Sequence, residues 1–438
     1  GELNFDLDGT RWVHQTSAPD FLLTIDTSGG AGNTNISGAT VSLADFGHNN
    51  YQLTDPNTHV FPLLDAGGGG QLDGDPANST AYAKGPGFLT GYNFKIDKVG
   101  PLNNNTQQYL FAYLQNQEAA HEARILTEGR AAGLGFLRAS WLPDHSYQQA
   151  DLALYQEGTY KSWVPFAGID GAWARVDTGG DGRYEVSGIN GLLGIAREDK
   201  KPGESLLTGL FIEAGYGDYD TRNRIWHDPN FIDMRGDGTL RFVGGGIMAR
   251  KEWSNGVRLE GSFGAGQIKN EFHSSDLIDP TTNLEADYDV SVPYYAVHVG
   301  LARAWMLNEH RRFDLIGRYF WTRQEGKGAV LPNGEIVEFD DDDSNRVRLG
   351  GRLTFIRDER REWYLGAAGE YEFSGEVNGW GGEYALDSPS LEGFTGIGEI
   401  GWIFRGTKDD SFSFETGLQG YLGRMRGISG GIRMEWRF

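Results

Sequence analysis

The sequence predicts an all-β chain that ends in a twelve-stranded antiparallel transmembrane β-barrel, with an α-helix for its lumen and a β-solenoid-like segment before it. Strand-length segments alternate apolar and polar residues from about Trp163 onward, and their connections are alternately short and long. The final segment places its apolar residues on one face: Ile432, Met434, Trp436 and Phe438. Because successive side chains of a strand point to opposite sides, such a segment separates an apolar phase from a polar one.

The alternating pattern recurs in twelve segments, an even number that lets the first and last strands of a single-chain barrel pair antiparallel. The predicted strands cover 163–176, 185–197, 205–219, 238–252, 256–269, 288–305, 312–324, 345–357, 362–374, 392–405, 410–423 and 428–438. Long connections are predicted at 221–237, 270–287, 325–344 and 375–391. Tight turns at one end and long loops at the other are typical of a barrel of the bacterial outer membrane.

A soluble β-sandwich is the alternative, since alternation also describes a sheet with one face in a core and one in water. Three features favour the barrel. The two-sided pattern persists through all the segments, Tyr and Trp lie toward strand ends as in aromatic girdles, and the sequence ends on an aromatic residue.

Composition limits the possible functions. The net charge of −22 argues against nucleic acid as a partner, because phosphate binding needs a basic face. The absence of cysteine excludes a disulfide framework. No run of about 18 apolar residues occurs, so the sequence predicts no membrane-spanning helix. The mean hydropathy of −0.47 is compatible with a membrane barrel, because only alternate residues of its strands meet lipid.

The chain divides into three regions that differ in composition and hydrophobic pattern. Residues 1–115 hold short apolar runs between Gly- and Asn-rich turns, which fits a β-solenoid or a sandwich, although no clean repeat is visible. Residues 116–160 form a linker whose stretch 117–139 predicts a helix, because it is rich in Ala, Glu, Leu and Arg and lacks Pro. A second short helix is expected over 144–156, and residues 161–438 form the barrel.

The predicted helix is unusually small in side-chain volume. Its small residues are Ala119, Ala120, Ala123, Gly129, Ala131, Ala132, Gly133 and Gly135. Each Gly costs a helix about 1 kcal/mol relative to Ala, so an exposed surface helix would gain nothing from them. A helix that runs through a narrow tube would need them.

These stretches resemble the autotransporters of Gram-negative bacteria, which use type V secretion. The resemblance is carried by 116–136 with the motif EARILTEGR, by 163–175, by GINGLLGIA at 188–196, by FIEAGYGDY at 211–219 and by 390–438. Upstream, 87–96 and 106–114 are similar to the end of a β-helical passenger, the exported part of such proteins. The resemblance implies a twelve-stranded outer-membrane barrel, with a luminal helix that links it to a passenger at the cell surface.

A lumen about as wide as one helix would bring helix and strand charges together. We therefore expect the helix residues Glu118, Glu122, Arg124, Glu128 and Arg130 to pair with charges on the inner face of the strands. Those strand charges are Arg318, Arg348, Arg352, Glu370 and Glu372, with Glu260, Arg346, Glu399 and Glu415 as further candidates. The alternative is that all of these groups merely hydrate the lumen.

The resemblance also implies partners. The barrel-assembly machinery would read a C-terminal signal formed by Gly431, Met434, Trp436 and Phe438. Outer-membrane lipid and an unknown extracellular molecule would be the others, and the barrel would be monomeric. The expected function is export and anchoring of a surface-exposed passenger of the adhesin or scaffold type. A porin-like channel and a passenger hydrolase are the alternatives.

Signals for chemistry are weak. The sequence contains no Gly-x-Ser-x-Gly, no His-Glu-x-x-His and no phosphate-binding loop, so we expect no enzyme activity and no cofactor. Asp340–Asp343 offers the clustered carboxylates that calcium prefers, but its place in a predicted external loop favours a solvated acidic run. The stretch 177–182 resembles part of a calcium loop without its closing acid, and Asn103–Asn105 lacks the surroundings of a self-cleavage site.

Overall fold

The computed structural model describes residues 2–5, 23–24, 33–43, 60–67, 70–100, 107–139, 160–227, 230–358, 360–406 and 412–436. Within these ranges, none of the helices has the length and apolar character needed to span a bilayer. The predicted second helix at 144–156, the triplet Asn103–Asn105 and Phe438 lie outside the described residues.

The described residues of the N-terminal region form short strands, and a helix follows them. The strands are β1 (Glu2–Phe5), β2 (Leu23–Thr24), β3 (Thr34–Asn35), β4 (Thr40–Leu43), β5 (Val60–Asp65), β6 (Leu72–Asp73), β7 (Thr80–Lys84), β8 (Thr90–Val99) and β9 (Tyr109–Ala119). A 3₁₀ turn at His121–Ala123 then leads into α1 (Arg124–Ala139). Strands β2-β5-β9-β8-β7 form one sheet. The pairs β1–β4, β2–β5 and β3–β6 are parallel, as in stacked solenoid rungs.

The helix begins later than the sequence predicts. Gln117, Glu118 and Ala119 belong to β9, where they pair with residues 90–92 of β8. Their composition favours a helix, but the backbone hydrogen bonds offered by β8 prevail over this local preference, which is a weak one. The prediction of helix for 117–119 is therefore wrong.

The remaining strands build a closed barrel, which confirms the predicted twelve-stranded antiparallel barrel. Its twelve strands are β10 (Tyr160–Gly179), β11 (Gly182–Lys201), β12 (Glu204–His227), β13 (Asn230–Trp253), β14 (Val257–Ile278), β15 (Glu285–Asn308), β16 (Arg311–Gln324), β19 (Asp342–Asp358), β20 (Arg361–Ser374), β23 (Gly393–Arg405), β24 (Phe412–Gly423) and β25 (Met425–Trp436). Each is antiparallel to its neighbours, and β10 pairs with β25 to close the cylinder.

Three of the predicted long loops (221–237, 270–287 and 325–344) contain much strand and the fourth (375–391) contains two short strands, so the prediction of loop is wrong in these parts. Strands β12 and β13 run on to His227 and from Asn230. Strands β17 (Lys327–Val330), β18 (Ile336–Phe339), β21 (Gly379–Gly381) and β22 (Tyr384–Ala385) form a separate four-stranded sheet, here called the hairpin sheet. The alternation fades in these parts because outward residues such as Arg224 and Asp233 are polar.

The two faces of the barrel have opposite character. Its outer surface exposes large apolar side chains, among them Ile189 (58%), Leu210 (60%) and Val243 (63%). Its inner surface buries charged ones, including Arg258, Glu260, Arg312, Asp314 and Arg352. A protein in water would pay heavily for both arrangements. An apolar outer surface around a polar interior is the arrangement of a barrel that spans a membrane.

The two ends of the barrel also differ. The short turns at 202–203, 254–256 and 309–310 lie at one end, which we call the turn end. The extended hairpins and the hairpin sheet lie at the other, the hairpin end. The N-terminal strands contact this hairpin end: Lys84 donates from Nζ to the carbonyl oxygen of Ile278, next to the tip of the β14–β15 hairpin.

Candidate functional site: the lumen and its helix

Helix α1 lies inside the barrel, and the side chains of its middle part are buried. Ile125, Leu126, Ala131, Ala132 and Leu134 belong to one apolar cluster that also contains inward residues of the barrel strands. The helix packs mainly against β11–β14 and β16, so it lies to one side of the lumen. This arrangement confirms the predicted luminal helix.

Glycines fit the helix to aromatic side chains of the wall. A Cβ atom on Gly129 would lie 2.5 Å from Cδ2 of Phe272 and 2.8 Å from the hydroxyl oxygen of Tyr288. A Cβ atom on Gly135 would collide with the ring of Tyr184. Asn270 of the wall also donates from Nδ2 to the carbonyl oxygen of Gly129 at 2.8 Å. The small residues therefore allow the close approach expected of a helix in a narrow tube.

The charged residues of the helix meet partners near the hairpin end. Arg130 donates from Nε to Oδ2 of Asp342 at 2.8 Å. Arg124 donates from Nη2 to the carbonyl oxygen of Gly179 at 2.6 Å. Glu128 accepts a hydrogen bond from Thr178 Oγ1 at 2.7 Å, and its Oε1 lies 3.5 Å from Arg124 Nε. Glu122 instead faces the N-terminal strands, where it accepts a hydrogen bond from Tyr82.

The strand charges pair mostly with one another. Arg348 donates from Nη2 to Glu370 at 2.8 Å. Arg318 Nε bonds Glu260 at 2.9 Å, and Arg352 Nε bonds Glu399 at 2.8 Å. These pairs differ from the expected helix-to-strand pairs.

One helix residue does reach this set, and the sequence analysis missed it. Arg138 lies with Nη2 2.8 Å from Glu372 and 3.7 Å from Glu370. Its position in the last turn of a predicted luminal helix was the available signal.

Inward-facing glycines make room for the pairs that cross a strand. Gly300 lies opposite both Glu260 and Arg318, and Gly366 lies opposite both Arg352 and Glu399. A Cβ atom on Gly300 would lie 2.8 Å from Glu260, and one on Gly366 would collide with Glu399. Each ion pair therefore passes over a glycine on the strand between its partners, and we call this arrangement a glycine bridge.

Each carboxylate of the acidic run Asp340–Asp343, which follows β18, accepts a hydrogen bond or forms an ion pair. Asp340 accepts a hydrogen bond from Trp380 Nε1 at 3.0 Å. Asp341 pairs with Arg323, and Asp342 with Arg130. Asp343 accepts from Trp321 Nε1 at 2.9 Å. In the described part of the chain, no group of three or more His, Asp or Glu side chains is placed to hold a metal ion.

The described residues of the expected C-terminal signal lie in β25. Trp436 contacts Phe412 of β24, with ring centroids 5.7 Å apart. Met434 lies opposite Phe414 of β24 and Ala167 of β10, and Gly431 lies opposite Gly417 and Asp170. The strand that carries the expected signal is therefore also the strand that closes the barrel.

The fold and the lumen define a membrane-spanning β-barrel with a helix inside. No protein-family model and no curated protein matches the chain. Three similar solved structures are autotransporter barrels, as the sequence resemblance led us to expect. The β domain of the Bordetella autotransporter BrkA is 14% identical, with a TM-score of 0.49, and the match covers 63% of this chain and 100% of that one.

The second structure is the transport unit of the autotransporter AIDA-I from Escherichia coli. It is 13% identical, with a TM-score of 0.47, and the match covers 71% of this chain and 99% of that one. The third is the translocator domain of the autotransporter NalP from Neisseria meningitidis. It is 14% identical, with a TM-score of 0.48, and the match covers 72% of this chain and 98% of that one.

Proposed function

We propose that this chain is an autotransporter translocator, which exports its own N-terminal part and anchors it at the cell surface. The path of the chain carries the proposal. Strand β9 belongs to the N-terminal sheet outside the barrel, and the residues that follow it lead through a 3₁₀ turn into α1 inside the lumen. The amide of Ala120, at the junction, donates to the carbonyl oxygen of Leu89 at 2.9 Å. An exported segment that left through the lumen would end in this position.

The two ends of the barrel support an orientation in the outer membrane. Outer-membrane barrels have short turns on the periplasmic side and long connections outside. The N-terminal strands contact the hairpin end, so this orientation puts them at the cell surface. Lipid would contact the apolar outer face, and a closed sheet has no free edge that needs a second subunit.

We further propose that the N-terminal part is an adhesin or scaffold for an unidentified extracellular partner. Its parallel strand pairs fit a solenoid end, whose extended surface suits binding better than turnover. The passenger hydrolase stays the alternative for this region, and a measurable esterase, protease or glycosidase activity of the full chain would favour it.

An epitope tag placed before Gly1 tests export directly. In intact bacteria, we expect antibody to label the tag and external protease to remove it. The matched control carries the same tag at Asn255, in a short turn at the turn end. That tag should be detected only after permeabilisation of the outer membrane. An N-terminal tag detected only in permeabilised cells would refute the proposal.

Single-channel recording separates the translocator from a porin-like channel. In the hairpin end of the lumen, α1 and residues of the hairpin sheet pack into one apolar cluster. We therefore expect the intact barrel to conduct poorly and a variant without Arg124–Ala139 to conduct strongly. Porin-sized conductance of the intact chain, unchanged by this deletion, would favour the channel.

A further inference from the structure

We propose that the turn Gly85–Leu89, between β7 and β8, is a stopper for the outer mouth of the barrel, held in place by the carboxylates of Asp279 and Glu335. We call these two carboxylates, which come from different barrel hairpins, the latch. The role as a seal at the cell surface rests on the proposed function, whereas the contacts themselves do not.

The latch binds two consecutive backbone amides. The amide of Gly87 donates to Oδ1 of Asp279 at 3.2 Å, and the amide of Phe88 donates to Oε2 of Glu335 at 2.6 Å. Asn333 joins the two carboxylates, because its Nδ2 donates to Asp279 at 3.1 Å and to Glu335 at 2.7 Å. Hydrogen bonds to charged acceptors are stronger than those between neutral groups. Two hairpins that are separate in sequence therefore hold the same turn.

The side chains of the turn enter the mouth of the barrel. Phe88 is 0% exposed and Leu89 is 4% exposed, and both belong to the apolar cluster that contains the luminal helix. The same cluster includes Leu331, Val337 and Leu386 from the region of the hairpin sheet. Phe88 and Leu89 thus complete the packing of the hairpin end, beside a helix that lies to one side of the lumen.

Glycine is required at the centre of this contact. Gly87 has a φ of +84°, a conformation that residues with a side chain rarely adopt. A Cβ atom there would also collide with the carboxylate of Glu335. Lys84, at the start of the turn, bonds the carbonyl oxygen of Ile278 and lies with Nζ 5.9 Å from the ring centre of Phe88. The turn, its glycine and both hairpins therefore fit together as one contact.

Under the proposed function, the latch would form at a defined stage of export. The turn lies N-terminal to α1, so in a translocator it would leave the lumen before the helix comes to rest there. The latch can close only when the turn is outside and both hairpins are folded. Closure of the outer mouth would then follow export of the turn itself.

The test is the double variant Asp279→Asn/Glu335→Gln, which removes the two charges and keeps the side-chain shapes. The control is Asp287→Asn/Glu338→Gln, which removes two exposed carboxylates from the same hairpin regions. The purified full chain is studied in planar bilayers and by amide hydrogen exchange of the peptide that spans 85–89.

We expect exchange at Gly87 and Phe88 to become about tenfold faster in the double variant, since hydrogen bonds to charged acceptors are lost. Channel openings should become frequent, and the control should behave as the wild type. Unchanged exchange would overturn the assignment of the latch, and unchanged conductance with fast exchange would overturn the role as a stopper.

Phe88→Ala provides a second route if the double variant does not fold. It leaves both carboxylates in place, removes the largest side chain of the stopper and should also raise conductance. The N-terminal tag distinguishes this inference from the proposed function. If the tag is exposed at the surface but exchange or conductance is unchanged, the proposed export stands and only the stopper is refuted.

Discussion

Arg130 of the luminal helix and Asp342 at the start of β19 form an ion pair that is 0% exposed on both sides. The distance between Arg130 Nε and Asp342 Oδ2 is 2.8 Å, and the guanidinium also donates to the carbonyl oxygen of Glu325. The Arg130 guanidinium carbon lies 5.6 Å from the ring centre of Phe339 in the hairpin sheet. One side chain therefore links the helix, the barrel wall and the hairpin sheet.

Arg130→Ala should lower the free energy of unfolding by about 3–5 kcal/mol, because it leaves the Asp342 carboxylate buried without its cation. Urea unfolding of the purified chain in detergent, followed by tryptophan fluorescence, measures the loss. Arg361→Ala is the control, since Arg361 pairs with Asp358 at 2.6 Å on the exposed surface. It should cost less than about 1 kcal/mol. Equal losses for the two variants would contradict the role given to Arg130.

The glycines of α1 should respond unequally to alanine. Gly135→Ala should destabilise the chain by about 1–3 kcal/mol, because the new methyl group collides with the buried ring of Tyr184. Gly133→Ala should be neutral or stabilise by up to about 1 kcal/mol, since its Cβ would meet Gln324 at 3.4 Å and Ala favours a helix. Thermal midpoints of the two variants provide the comparison. The reverse order would mean that the glycines do not set the fit of the helix.

The contact at Asp279 should weaken in acid. Burial works to raise the pKa of the Asp279 carboxyl, but hydrogen bonds from Thr282, Thr281, Asn333 and Gly87 outweigh it, so the pKa lies below its ordinary 3.8. A lowered folded-state pKa stabilises the fold above the unfolded value, and that stability is lost as pH falls through the folded value.

The thermal midpoints of the wild type and Asp279→Asn should therefore differ by a constant amount between about pH 5 and 8. Below about pH 4 the difference should shrink as the wild-type carboxyl becomes protonated. A difference that grows on acidification would show that the carboxylate is not the favoured form in the folded chain.

Deletion of Phe438 should reduce assembly in the outer membrane, if the resemblance of the C-terminal strand to an assembly signal is functional. The measurement is the amount of heat-modifiable barrel in outer-membrane fractions. Arg437→Ala is the control, because it changes the neighbouring residue, which the alternation places on the polar face. Wild-type amounts of folded barrel without Phe438 would remove this function from the terminal residue.

The barrel could be predicted from the sequence because lipid on one face and a polar lumen on the other enforce strict alternation. In β20, Trp363, Leu365 and Tyr371 point outward, whereas Glu370 and Glu372 are buried inside. Beyond the membrane that constraint ends, and the pattern no longer separates strand from loop. This is why the pattern predicts a loop at 221–237, where β12 continues to His227 and β13 begins at Asn230.

The ion pairs inside the lumen could not be predicted from the sequence, because they depend on the register between neighbouring strands. Arg318 and Glu260 are two strands apart, and only the register with β15 shows that Gly300 lies between them. The sequence predicts a loop at Asp342 and gives no sign of its contact with Arg130. A glycine on the inner face, on the strand between two oppositely charged residues, is the sequence signal that accompanies such a pair.

The barrel can close only when its first strand, β10, pairs with its last strand, β25. Residues 166–176 of β10 pair with residues 425–435 of β25. One edge of β10 therefore stays unpaired until β25 has folded. Until β25 pairs with β10, the free edge of β10 offers its backbone groups to any other strand that it meets, and closure of the barrel removes that edge.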